Sequence, residues 1–259
     1  MMIETWLDLP TAGLFAVLAA FYLATGAAIV WVDFGAVIGP KMRKFDGVVA
    51  PFFGAVGIVF ALLTGFLAND ISERNRQAVR AVQTEASELR SVHTLSVASV
   101  SDMRAIRTAL SEYVKSLIKD EWPAMVQDRD APATSAAYDA LLREVTDPKI
   151  AQEAGAAVHV AMLNAAVSAG TARSERLALA VDRTNDLKWI MVLLLGVMTQ
   201  ISVAIVHFQS RNAQIAALTV FSVAAVIALG LIAMQERPFG GDLSIAPGPL
   251  EEIAKLPAG

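Results

Sequence analysis

The sequence predicts an all-α integral membrane protein with four transmembrane helices and a helical, water-facing domain inserted between the second and the third. Three observations predict it. The 259 residues are 55% hydrophobic and only 18% charged, with a mean hydropathy of +0.52, which is too apolar for a water-soluble domain of this size. Four stretches reach the roughly 20 apolar residues that a helix needs to cross the hydrocarbon core. The residues between the second and third stretches carry charges of both signs and place apolar residues at helical spacing. The formal net charge is -4 and the basic residues are dispersed, so nucleic acid is not an expected partner. With no cysteine, disulfides, thiolate metal sites and thiol nucleophiles are excluded.

The spans are expected at 10–32, 48–68, 189–208 and 213–234. The chain then divides into helices 1 and 2 (1–69), the water-facing domain (70–188), helices 3 and 4 (189–234) and a Pro/Gly-rich tail (235–259). Glu4 and Asp8 precede the first span and no Lys or Arg does, which suits a retained helix rather than a secretion signal. Trp6, Trp31 and Trp189 fall near span ends, where an amphipathic ring prefers the headgroup layer. In the third span, Thr199, Gln200, Ser202 and His207 are costly in hydrocarbon unless paired, so hydrogen bonds between helices are expected there.

Within the domain, Met103, Ile106, Leu110, Tyr113 and Leu117 form a stripe at steps of three and four that one helix can bury. Ala78, Val82, Ala86, Leu89 and Val92 form a second, weaker stripe. No Gly or Pro separates it from Gly65, so the second membrane helix is expected to continue into the domain. The segment "DRDAPATS" (128–135) reads as a turn, and in "TDPK" (146–149) Asp147 is a helix cap with Pro148 at the first helical position. A last helix is expected from there towards position 208 with one or more bends. Glu85, Glu88, Glu112, Asp120 and Glu121 are expected on solvated faces beside Arg90, Lys115 and Lys119, and Trp122 as a core anchor.

In this order, "FALLTGFLAN" (60–69), "EASELRSVHTL" (85–95), "LSEYVKSLIKDEW" (110–122), "ARSERL" (172–177) and "ERPFGGDLSIAPGPL" after the last span resemble the bestrophin-like domain family of prokaryotic and plant membrane proteins. The chain departs from that pattern in "NDLKW", which lacks an expected proline before Trp189. The resemblance implies a distant relation to bestrophins, oligomeric anion channels whose second helix lines the pore with apolar rings. It further implies self-association as a ring, a pentamer by analogy, with small inorganic ions as the transported species. Short-loop charges (Lys41, Arg43, Lys44 and Arg211) would place the domain outside, whereas the resemblance implies a cytoplasmic domain in a bacterial inner membrane.

Three groups of residues carry the functional expectation. Gly54, Gly57, Ala61, Gly65 and Ala68 lie along one side of the second span, the small-residue arrangement that lets membrane helices approach closely. Beside them Phe53, Phe60, Thr64 and Leu67 share a narrow sector, either a pore lining that gates by dewetting or a face packed on lipid and neighbouring helices. In the tail, Arg237 can meet a carboxylate or a headgroup, Pro238 ends the helix, and Gly240 and Gly241 permit a tight turn. Phe239 and Ile245 favour a tail that docks over one that stays flexible. Asp70 and Lys188 stand at the membrane end of the domain, where charges can ring a pore mouth. His93, His159 and His207 lack metal-ligand spacing, and no phosphate loop or organised nucleophile is legible. No catalytic, cofactor-binding or metal site is therefore expected. A homo-oligomeric ion channel is one reading, and a membrane-anchored helical sensor or scaffold is the alternative.

Overall fold

The computed structural model describes residues 2–35, 50–99 and 101–258, and for residues 2 and 50–53 the backbone alone. Every regular element described is helical: α1 (Met2–Leu7), α2 (Thr11–Phe34), α3 (Ala50–Ala98), α4 (Arg104–Ser116), a π-helical turn (Leu117–Glu121), α5 (Trp122–Val126), α6 (Pro132–Val145), α7 (Pro148–Glu153), α8 (Ala156–Val181), α9 (Asp186–Val206), α10 (Arg211–Ala233) and α11 (Gly248–Ala254). Four helices are long and apolar enough to cross a membrane: α2, α3 from Gly54, α9 and α10. As the absence of breakers predicts, α3 is unbroken over 49 residues. Lys41, Arg43 and Lys44 lie outside the described residues.

The chain forms two compact units. The first comprises residues 1–73, 183–236 and 241–243. Its interior is built where α1, α2, α9 and α10 bring their large side chains together. Trp6 and Trp189 pack edge to face at 5.2 Å, and the Trp6 indole donates to the Leu14 carbonyl at 3.2 Å. Both rings are buried, so of the three tryptophans expected at the interface only Trp31 stays exposed, at 77%. Gly196 makes the close approach of α9 to α2 possible, since a Cβ there would lie 2.0 Å from the Tyr22 hydroxyl oxygen.

Among the polar residues of the third span, Gln200 links three helices. Its amide donates to the Tyr22 carbonyl at 2.9 Å and the Ser222 hydroxyl at 3.0 Å, and its carbonyl accepts from Thr25 at 2.7 Å. Thr199 and Ser202 donate to carbonyls four residues back in their own helix, and His207 bonds the Val203 carbonyl in the same way. A short side chain that can satisfy itself on its own backbone needs no partner across an interface, which corrects the expectation for these three.

The second unit comprises residues 74–182, 237–240 and 244–259. Its core takes both stripes, from Ala78 to Val92 on α3 and from Met103 to Leu117 on α4 and the π-helical turn. Asp147 caps α7 by accepting from the Lys149 amide at 2.9 Å. The bends expected beyond it are complete interruptions, at 154–155 and at 182–185. After the second, Asn185 starts α9 by accepting from the Leu187 amide at 2.8 Å, a side-chain cap in the segment that lacks the expected proline.

The tail docks. Phe239, Leu250 and Ile253 are buried in the second unit's core, with Ile245 packed against it. Phe239 meets Trp122 edge to face at 5.5 Å, Arg237 donates to the Val126 carbonyl at 2.8 Å, and the His93 ring bonds the Pro257 carbonyl at 3.0 Å. Gly241 turns the chain at a φ of +82°, a conformation open to glycine.

Candidate functional site

On the membrane part of α3, the side chains sort by face. Leu67 is 2% exposed, and half-buried Phe60 lies 5.6 Å from the Phe221 ring of α10. Thr64 is half-buried with its hydroxyl enclosed and without a hydrogen-bond partner among the described residues. This side of the helix is thus occupied by the chain's own bundle. Phe53 belongs to the same sector, and its side chain lies outside the described residues.

The opposite side is open. Ile58, Leu62 and Phe66, at steps of four, are 64%, 53% and 64% exposed, and exposed Asn69 and Asp70 follow them. Gly54, Ala61 and Gly65 flank this stripe and are themselves exposed, with nothing within 4 Å of where a Cβ would sit on either glycine. Gly57 departs from them, since its Cβ would approach Thr199 of α9 at 3.9 Å, and Ala68 is half-buried. Asp70 and Lys188, weighed above as charges at a pore mouth, pair with each other at 2.6 Å within the chain, both about half exposed.

The second unit encloses a charge network. Arg176 of α8 is fully buried and donates from Nε to Glu85 Oε2 at 2.7 Å, from Nη2 to Glu85 Oε1 at 3.3 Å, and from Nη2 to Glu121 Oε1 at 2.7 Å. Tyr113 donates to Glu85 Oε1 at 2.8 Å. Arg173, one turn before Arg176, grips Glu121 with Nε and Nη2 and reaches Ser135 at 3.0 Å. Arg176 also lies over the Trp122 ring at 5.3 Å, so the docked tail, the ring and the guanidinium stack in sequence.

Burial opposes the charge of Arg176, but the carboxylates of Glu85 and Glu121 outweigh it and hold the guanidinium above its ordinary pKa. Arg173 is raised too, burial being outweighed there chiefly by Glu121. Burial and then the Glu85 charge push the Tyr113 phenol well above its ordinary value. Two arginines matched to two carboxylates leave no net charge in the interior, the condition under which buried ions are tolerated.

Glu85 and Glu121 therefore do not lie on solvated faces as expected, whereas Glu112 and Asp120 are exposed. Register was the available signal. Glu85 stands three residues after Val82 and four before Leu89 in the α3 stripe, and Glu121 stands four after Leu117. The π-helical turn that carries Glu121 precedes Pro123, which has no N–H to bond the carbonyl of Lys119; π-turns recur at functional sites.

The bestrophin-like domain profile matches residues 12–250. Solved structures of a bestrophin homologue from Klebsiella pneumoniae share the fold. One, bearing a tryptophan-to-alanine change, superposes with a TM-score of 0.68 at 12% identity over 95% of this chain and 96% of that one. Another, phased on zinc, gives 0.64 at 13% identity over 90% and 96%. No curated protein matches the chain. Four of the five stretches that carry the family resemblance meet in or beside the buried network (Glu85, Tyr113 with Glu121 and Trp122, Arg173 with Arg176, and the RPFGG tail), and with a match across residues 12–250 the chain belongs to the bestrophin-like domain family.

Proposed function

We propose that the protein is a homo-oligomeric ion channel in which the exposed stripe of α3 lines the path. The observation that carries this reading is the pairing, on one helix, of an open apolar stripe (Ile58, Leu62, Phe66) with a flank of small residues (Gly54, Ala61, Gly65). The flank lets a neighbouring subunit approach closely, and repetition about an axis then stacks the stripe into apolar rings that gate by dewetting. The ring has five subunits by analogy with bestrophins, in a bacterial inner membrane, with the helical unit on the cytoplasmic side. The buried network ties the second unit's part of α3 to α4, the π-helical turn and α8.

Ion flux from proteoliposomes loaded with chloride or potassium salts tests the reading. Leu62→Ala widens a ring and is expected to raise flux at unchanged oligomer mass, whereas Gly65→Leu is expected to reduce that mass. Intact oligomers of the parent and of Leu62→Ala that pass no ions across a range of voltage, pH and calcium would refute the channel and leave the membrane-anchored sensor or scaffold.

A further inference from the structure

A groove of about 350 Å³ follows α2 and α10 in the membrane-spanning unit, and its character changes along its length. Leu23, Gly26, Val30, Ile215 and Leu218 are among the residues of its wall. Ser222 closes one end, and Arg211 stands at the other beside the exposed ring of Trp31. Arg211 is exposed, and it opens α10 where that helix begins.

The eleven helical steps from Arg211 to Ser222 rise about 16 Å, close to half the ~30 Å hydrocarbon thickness of a bilayer. The groove therefore reaches from an interface to the midplane, the depth one lipid chain occupies in one leaflet. A cation at the headgroup level with an aromatic ring beside it complements a phosphate, and guanidinium suits phosphate geometry in particular.

We propose that this groove is a binding site for one anionic phospholipid, with its phosphate on Arg211 and an acyl chain laid between α2 and α10. Thr219, exposed and lining the groove, is where a larger side chain would displace the acyl chain.

Native mass spectrometry of the full chain in detergent, incubated with dioleoyl phosphatidylglycerol or dioleoyl phosphatidylcholine, tests this. The parent is expected to retain the glycerol lipid over the choline lipid. Arg211→Gln, on an exposed side chain that supports no core, is expected to weaken phosphatidylglycerol binding about fivefold and to erase the preference, while Arg211→Lys keeps most of it. Thr219→Trp is expected to lose both lipids. Undiminished phosphatidylglycerol on Arg211→Gln would overturn the headgroup assignment. Undiminished lipid on Thr219→Trp, or a fall in its oligomer mass with lipid unchanged, would overturn the groove as the acyl site, the latter in favour of a second copy.

Discussion

Replacing Arg176 with methionine removes a side chain that touches both buried carboxylates. Glu85 then keeps only the Tyr113 hydroxyl, at 2.8 Å, while Glu121 keeps Arg173. An uncompensated carboxylate in a dry interior is the costly outcome, and breaking one side of a buried pair destabilises by about 3–5 kcal/mol. At about 2–4 °C per kcal/mol for a protein of this size, the melting temperature should fall by about 6–20 °C. Adding Glu85→Gln to Arg176→Met removes the stranded charge and leaves an amide that can still bond Tyr113. The double variant should recover about 1–3 kcal/mol relative to the sum of the single changes. Thermal unfolding in detergent, followed by circular dichroism for the parent, both single variants and the double, measures the coupling. A melting temperature for Arg176→Met equal to the parent's, or a double variant at least as unstable as the sum, would refute the network as the unit's electrostatic keystone.

Tyr113 makes stability pH-dependent at the alkaline end. Its pKa is raised on folding, so its contribution is complete below the unfolded value of about 10 and is lost as pH rises from there towards the folded value, at about 1.4 kcal/mol per pH unit. Tyr113→Phe should therefore lower stability at neutral pH by about 1.5–3 kcal/mol and flatten the decline above pH ~10 in urea titrations, and a decline as steep as the parent's would place the alkaline sensitivity elsewhere. Phe239→Ala removes a buried ring in edge-to-face contact with Trp122 and should cost about 3–5 kcal/mol, exposing the tail to limited proteolysis. Digestion of that variant at the parent's rate would mean that the ring does not hold the tail.

The membrane class, the four spans, the unbroken α3 and both core stripes were legible in the sequence, because length, apolarity and helical period are local properties of a chain. The tail's docking was legible for a related reason, since Phe239 and Ile245 would have stood exposed in a flexible end. One local rule answered wrongly and another left two answers open, and in both cases the reason is a partner distant in sequence. A glutamate reads as solvated until an arginine 91 residues away, as Arg176 is from Glu85, neutralises it in the interior. A phenylalanine column reads equally as a pore lining or a packed face, and Phe221, on another helix, lies against Phe60. Helical angle sorts side chains into sectors, but only the packing of α3 against α9 and α10 decides which sector is filled and which is left exposed.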